Sequence, residues 1–233
     1  MSISFRPLIF LALGLLLGEH AIATEEPKFQ KLSQQDGIEL RRYPAFIVAE
    51  TTVQGDMDAA SNKGFRVIAD YIFGNNQSAV AAPSPGSEKI TMTAPVTLEP
   101  IAAIQEEIAM TAPVAIEPLT SAAPDATTAP SMKGAKRWRV HFVMPSQYTL
   151  STLPKPNNAA VRLRQVPAKT WAVLKYSGFN TESRVQQKTD ELMAWLLAQN
   201  IQTLGSPQLA RYNPPWTLPV FRRNEVMIEI QQP

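Results

Sequence analysis

The chain has 233 residues, a hydrophobic fraction of 45% and a charged fraction of 18%, values typical of a globular protein. It contains no cysteine, which excludes disulfides, thiolate metal sites and a cysteine nucleophile. The formal net charge is +2 and acids and bases are interspersed, whereas nucleic-acid binders cluster their Lys and Arg, so no nucleic-acid partner is expected.

The first 23 residues have the pattern of a secretory signal peptide. Arg6 precedes an apolar run from Leu8 to Gly18, and Ala21-Ile22-Ala23 supplies the small residues of a cleavage site. The run is shorter than the roughly 20 residues that span a bilayer, so a membrane anchor is the less favoured alternative. We expect cleavage after Ala23, a periplasmic or secreted protein without stable membrane insertion, and a leader at 24–35 before the folded domain.

An internal repeat organises the domain at residues 36–233. Residues 38–55 align without a gap on residues 161–178, at a constant offset of 123. The identical pairs are Leu40/Leu163, Arg41/Arg164, Pro44/Pro167, Ala45/Ala168, Ala49/Ala172 and Gly55/Gly178. Two copies of one unit predict two halves, at about 36–145 and 158–233.

In each copy, two short β-patterned runs meet at a Pro-Ala turn, and an amphipathic helix follows the glycine. The first helix is predicted at about 57–73, where Phe65, Ile68 and Ile72 recur on one face, and the second at about 182–200. Further strands are predicted at Lys89–Leu98, Trp138–Met144, Gln208–Asn213 and Glu225–Ile230.

These elements predict an α+β fold, a duplicated β-β-α-β-β unit. Its antiparallel sheet is expected to close into a distorted barrel flanked by two helices. Residues 77–87 and 117–136 are rich in Pro, Ala, Ser and Thr and are predicted to be mobile loops.

A heptapeptide at Ile90–Val96, ITMTAPV, returns as IAMTAPV at Ile108–Val114. Because proline cannot donate to a strand ladder, Pro95 and Pro113 are each expected at an edge, a bulge or a strand end. Met92 has the flexible thioether of a core gap filler, and the alternative is that this side chain lines a ligand site.

Four separated segments identify a family, in the order in which they occur in the chain. They are IELRRYPAFIVAETTV from Ile38, the MTAPV motif, WRVHFVMPSQYTLSTLPKPNNAAVRLR from Trp138, and RYNPPWTLPVFRRNEVMIEI from Arg211. Over nearly all of residues 36–231 the chain resembles the SOUL or heme-binding protein family. The resemblance implies a fold akin to small-molecule effector-binding domains, with heme or a related tetrapyrrole as noncovalent ligand.

The resemblance does not favour an iron–histidine bond. In the branch that coordinates iron, the suggested ligand is a His at a position where this chain has Arg42. His20 would leave with the signal peptide, so His141 is the sole histidine of the mature chain. The residues on either side of it, Val140 and Phe142, alternate as the core face of a strand, which leaves His141 pointing toward solvent. We therefore expect apolar burial to hold the ligand, with no metal site and His141 as the less favoured axial ligand.

In the other branch, basic side chains beside the first helix reach the propionates. The matching positions here are Asn62 and Asp70, which are not cations. Lys63 and Arg66 lie nearby and are the substitutes, because a propionate needs a cation within reach. The alternative is that both are solvated surface charges. The ligand-binding residues expected from the sequence are Lys63, Arg66, Phe65, Met92 and Trp216.

No catalytic pattern, such as GxSxG or a phosphate-binding glycine loop, occurs in the sequence. We therefore expect binding, carriage or sequestration of a tetrapyrrole and no enzymatic activity. Two other classes stay open. An enzyme acting on a tetrapyrrole or other hydrophobic small molecule would show turnover, and an interaction or structural protein with a vestigial groove would leave ligand spectra unchanged. The sequence leaves the oligomeric state and any protein partner undetermined.

Overall fold

The duplication predicted from the sequence appears as a repeated order of elements. The computed structural model describes residues 25–79, 86–101, 132–213 and 216–232. Up to residue 143 its elements are β1 (Gln30–Gln35), β2 (Ile38–Tyr43), β3 (Phe46–Gln54), α1 (Met57–Ile72), β4 (Asn76–Gln77), β5 (Val96–Pro100) and β6 (Arg137–Val143). After it come β7 (Lys155–Pro156), β8 (Arg162–Val166), β9 (Lys169–Tyr176), α2 (Glu182–Ala198), β10 (Gln208–Arg211), a 3₁₀ turn (Pro219–Phe221) and β11 (Asn224–Ile230).

Both helices begin in the same way. Asp56 caps α1 and Thr181 caps α2, each accepting a hydrogen bond from the backbone N–H three residues further on, at 2.8 and 3.3 Å. Gly55 and Gly178 adopt φ angles of 138° and 106°, a region that favours glycine. The identity of these two glycines in the repeat therefore has a backbone reason.

The described strands form a nine-stranded antiparallel sheet in the order β1-β2-β9-β11-β10-β5-β6-β3-β8, and β4 pairs with β7 separately. With β1 set aside, exchanging β2 with β8, β3 with β9, β5 with β10 and β6 with β11 reverses this order onto itself. The two halves are thus related by a pseudo-twofold axis that passes between β5 and β10.

The expectation of a closed barrel is wrong, because the sheet has two free edges at β1 and β8. The two Pro-Ala turns explain the difference. Pro44-Ala45 joins β2 to β3 and Pro167-Ala168 joins β8 to β9, yet neither pair of consecutive strands forms a hairpin. β2 pairs with β9 and β3 pairs with β8. Each half therefore completes the sheet of the other, and β8 is left with β3 as its sole partner in the sheet.

One face of the sheet is covered by the two helices and holds the main core. Trp138, Val140 and Phe142 of β6 point into it, and all three are buried. α1 lies directly on this strand at Gly64, where an added Cβ would come within 2.5 Å of Val140. The small residue thus allows the close approach of helix and strand.

The other side, which we call the helix-free face, carries two smaller apolar clusters. One consists of Tyr43, Trp171, Val173, Ala210 and Met227. The other consists of Val48, Val143 and Val166. Both sides of the sheet are therefore partly buried.

The strand predicted at Lys89–Leu98 is shorter than expected and runs from Val96 to Pro100. Pro95 has no N–H and restricts the backbone of Ala94, so regular pairing starts after it, as expected for a proline at a strand end. Gln77, at the start of one predicted loop, pairs with Lys155 instead.

Several predicted features lie outside the described residues. They are the signal peptide, the second heptapeptide, and most of the two predicted loops, including residues 80–85 and 117–131. Among the helices of the described ranges, none has the length and apolar character needed to cross a membrane.

Candidate functional site

A cleft of about 490 Å³ opens where β3 begins and β6 ends, a volume in the usual range for small-molecule sites. Much of its wall is apolar, and Phe46, Ile47, Val143 and Leu150 contribute to it. The polar side chains of the wall include Lys28 and the residues Thr93, Ser146, Tyr148, Thr149 and Gln165.

Residues 25–28 also line the cleft. We call residues 25–29 the N-terminal strap. Its first residue is fixed by two backbone donors. The Ala94 N–H donates to the Glu25 carbonyl oxygen at 3.0 Å, and the Ser146 N–H donates to the Glu25 carboxylate at 3.0 Å. The strap is thereby tied to both the heptapeptide segment and the loop after β6.

Three further contacts hold the strap against β2 and against the residue that precedes β11. The Arg223 guanidinium forms an ion pair with Glu26 at 2.8 Å. The Phe29 ring lies 5.2 Å from the Tyr43 ring, and the Arg41 guanidinium stacks over it at 4.4 Å. The strap thus covers part of the helix-free face through both charged and aromatic contacts.

A small recess of about 30 Å³ continues from the cleft into the helix-free face. The two share Pro27, Phe46 and Val143 in their walls. The rest of the recess is lined by Tyr43, Pro95, Thr97, His141, Trp171, Gln208, Tyr212 and Met227.

His141 is the functional candidate of this recess. Its residue exposure is 7%, and its Nδ1 has no hydrogen-bond partner among the described residues. Burial, together with the positive charge of Arg164, lowers the pKa of His141 to about 4, and the charge of Glu50 opposes this shift. The imidazole is therefore neutral at pH 7, and its Nδ1 is buried without a partner among the described residues.

The expectation that His141 faces solvent is wrong, although the strand alternation behind it is right. His141 does point away from the face that Val140 and Phe142 occupy. That direction does not lead to water, because the strap and the apolar clusters of the helix-free face cover it.

A buried charge cluster around Glu225 lies on the same helix-free face of the sheet. Arg41 donates to both carboxylate oxygens of Glu225, at 2.9 and 3.1 Å. Tyr212 and Arg223 donate to the same carboxylate at 2.8 and 3.0 Å. Burial alone would lower the pKa of Arg41, but the hydrogen bonds and charge of Glu225 raise it. The cluster is fully paired, which is typical of a structural role.

The residues expected on α1 lie outside the cleft. Lys63 and Arg66 are exposed, and the Arg66 Nε–H donates to the Asn62 carbonyl at 3.3 Å. Phe65 is 37% exposed, and its ring centroid lies 5.6 Å from that of Phe142. The walls of the cleft and the recess include none of the three predicted residues.

Met92 and Trp216 do not line the two cavities either. Met92 is partly buried and packs against the main core. Trp216 is 83% exposed, in a segment whose other exposed apolar side chains are Leu218, Val220 and Phe221. The structure therefore does not bring the five predicted residues together.

The residues that do form the site have weak sequence signals. His141 and Val143 share a strand face by simple alternation, which the sequence showed. The strap, EEPKF, has no periodicity that predicts a position. The pairing of Arg41 with Glu225 links β2 to β11, and no local pattern predicts such a contact.

The family model for the SOUL heme-binding protein matches residues 24–229. The chain belongs to the SOUL heme-binding protein family. The resemblance seen in the four segments is thereby confirmed. No curated protein shows significant sequence similarity to this chain.

Solved structures share the fold at low sequence identity. The C-terminal domain of EcmrR is 13% identical with a TM-score of 0.53, and the match covers 88% of this chain and 99% of that one. An uncharacterized conserved protein from Listeria innocua is 10% identical with a TM-score of 0.52, covering 85% and 94%. A hydrolase from the same organism is 10% identical with a TM-score of 0.50, covering 86% and 94%. These likenesses concern the fold of the SOUL chain alone.

The residues of the cleft suit the ligand that the family implies. An apolar wall suits a macrocycle, and Lys28 is a cation for a propionate. In the described ranges, no group of three or more His, Asp or Glu side chains is placed to hold a free metal ion.

Proposed function

We propose that this protein binds heme or a related tetrapyrrole noncovalently in the cleft beneath the N-terminal strap, and that it carries or sequesters this ligand. The observation that carries the proposal is a cleft of about 490 Å³ with a largely apolar wall in a chain of a heme-binding family. Burial of the macrocycle is favourable by about 25 cal/mol for each Å² of apolar surface.

The polar side chains of the wall suit the propionates. Lys28 offers a positive charge, and Ser146, Thr149 and Gln165 offer hydrogen-bond donors. The acids nearby are already engaged, since Glu26 pairs with Arg223 and Glu25 accepts from Ser146 N–H. An anionic ligand edge at the mouth would therefore meet Lys28 as the cation of the wall.

Binding without catalysis is part of the proposal. In the described wall, no serine or threonine hydroxyl is hydrogen-bonded to a histidine, which is the arrangement that activates such a nucleophile. The proposal also includes export of the protein, which the signal-peptide pattern supports. Cleavage after Ala23 would start the mature chain one residue before the strap.

The test is a titration of the purified protein with hemin, followed by the Soret band. We expect a saturable spectral change with one hemin per chain. Ala45, an exposed residue of the cleft wall, is replaced by Trp to obstruct the cleft. The matched control is Ala194→Trp on the exposed side of α2.

Ala45→Trp should weaken hemin binding at least about tenfold, whereas Ala194→Trp should leave it unchanged. Equal binding by both variants would place the ligand elsewhere. A Soret band that disappears with repeated turnover would favour an enzyme, and the absence of any spectral change would favour an interaction protein.

A further inference from the structure

We propose that the surface formed by Phe179 and the turn at 216–221 docks the protein on an anionic lipid bilayer. This inference is independent of the proposed function. The surface carries five large apolar side chains, and we call it the exposed apolar patch. Its members are Phe179, Trp216, Leu218, Val220 and Phe221. They are 61 to 83% exposed, so these side chains project from the protein into solvent.

The patch is one surface because the two turns that carry it contact each other. The Gly178 N–H donates to the Pro219 carbonyl oxygen at 2.9 Å. The Arg222 guanidinium lies over the Phe179 ring, 5.7 Å from its centroid, and the Arg222 Nε–H donates to the Thr217 carbonyl oxygen at 2.7 Å. The turn before α2 and the turn before β11 therefore present their apolar side chains together.

Buried amides hold these turns in place. The Asn224 Nδ2–H donates to the Gly178 carbonyl oxygen at 3.2 Å, and the Asn180 Nδ2–H donates to the Asn224 side-chain oxygen at 2.6 Å. Asn180 also accepts a hydrogen bond from the Tyr176 hydroxyl at 2.6 Å. Asn180 and Asn224 are both buried. The fold thus fixes a surface of exposed apolar side chains, which is typical of an interaction site.

The charge next to the patch favours an anionic partner. From Arg211 to Arg223 the chain has three Arg and no Asp or Glu. Burial lowers the pKa of Arg211, the charge of Asp58 opposes this shift, and the nearby positive charge of Arg222 adds to it. Arg223 forms an ion pair with Glu26 of the strap. The excess of bases in this segment favours a bilayer with negative headgroups, which attract Arg close to the membrane surface.

The mixture of side chains favours a bilayer over a second copy of the chain. A symmetric pair would place the patch and its Arg residues against the same Arg residues of the other copy, where like charges repel. A bilayer takes apolar side chains into its acyl boundary while the guanidinium groups meet the headgroups. Trp is also enriched at the boundary between membrane and water, which suits Trp216.

The experiment measures cosedimentation of the protein with vesicles of phosphatidylcholine alone, or of phosphatidylcholine mixed with anionic phosphatidylglycerol. The patch variant, Trp216→Ser combined with Phe221→Ser, removes the two most exposed members of the patch. The matched control, Phe73→Ser combined with Leu197→Ser, removes two exposed apolar side chains outside it. All three proteins keep the same N-terminal segment, so a difference between them belongs to the substituted residues.

The wild-type protein should bind the anionic vesicles at least about tenfold more tightly than the patch variant, and added salt should weaken its binding. The control should bind the vesicles as the wild-type protein does. Both variants should keep the circular dichroism spectrum and the hemin affinity of the wild-type protein. Should the patch variant fail to fold, Trp216→Ser alone gives the same comparison at an exposed side chain.

The inference is overturned if the wild-type protein binds no vesicles, or if the patch variant binds them equally well. Self-association that the patch variant abolishes, without vesicle binding, would make the patch an interface between copies instead. Loss of hemin binding by the patch variant, without loss of vesicle binding, would assign the patch to the tetrapyrrole. A wild-type protein that binds the vesicles through the patch but binds no hemin would refute the proposed function and support this inference.

Discussion

Two buried polar side chains on the helix-free face, Glu225 and His141, differ in what surrounds them. The Glu225 carboxylate is 0% exposed and accepts hydrogen bonds from Arg41, Tyr212 and Arg223. His141 is also buried, and its Nδ1 lacks a partner among the described residues. An unsatisfied buried group costs about 1 to 3 kcal/mol, a cost that the paired Glu225 carboxylate avoids. Burial by itself therefore does not distinguish the two side chains, whereas their hydrogen-bond partners do.

The pseudo-twofold symmetry sharpens this contrast. Glu50 pairs with His141 across the ladder of β3 and β6. The residue 123 positions later, Val173, pairs with Met227 across the ladder of β9 and β11. His141 and Met227 are thus equivalent positions, and both line the recess. The duplicated backbone thus places two equivalent side chains at one cavity.

The largest effect is expected from breaking the Glu225 cluster. Arg41→Ala leaves a buried carboxylate with fewer partners and should lower the free energy of unfolding by about 3 to 5 kcal/mol. The double variant Arg41→Met with Glu225→Leu should lose less than the sum of its single variants, because no unpaired carboxylate remains. Urea unfolding of the three variants measures this. A loss below about 1 kcal/mol for Arg41→Ala would mean that water replaces the guanidinium.

A smaller effect is expected from the pH dependence of the other site. The pKa of His141 falls from the usual 6.5 to about 4 on folding, so below pH 6.5 the unfolded chain binds a proton that the folded chain does not. Stability should therefore fall as the pH is lowered from 6.5 to about 4, by at most about 1.4 kcal/mol for each pH unit.

His141→Phe is the control for this pH dependence, because it keeps the volume and removes the titration. Glu39 contributes to stability in a more acidic range, because its pKa is lowered on folding and its stabilisation is lost only as the pH falls further. The measurement is urea unfolding at several pH values. Identical profiles for the wild-type protein and His141→Phe would show that the imidazole is solvated.

Local signals predicted the helices and the repeat. The predicted helix at 57–73 is Met57–Ile72, and the one at 182–200 is Glu182–Ala198. Caps and apolar periodicity act within a few residues, so a single sequence contains them. The alternation along β6 was correct for the same reason.

The features that the sequence did not predict depend on distant contacts. The open sheet follows from the pairing of β2 with β9 and of β3 with β8, across about half of the chain. The burial of His141 depends on the strap, which precedes it by more than 100 residues. Strand alternation predicts the face on which a side chain lies. Tertiary contacts determine whether that face is exposed to solvent.

The smallest effect is expected from the charges on α1. Lys63→Glu combined with Arg66→Glu should leave hemin affinity within about twofold of the wild-type value, because both residues are exposed and neither lines the cleft. Lys28→Glu is the matched charge reversal inside the cleft, and it should weaken hemin binding severalfold by repelling a propionate. Titrations at low and high salt compare the two, since the Lys28 effect should shrink as salt screens the charge. If the α1 variant instead lost binding and Lys28→Glu did not, the macrocycle would lie in the groove beside the first helix and not in the cleft.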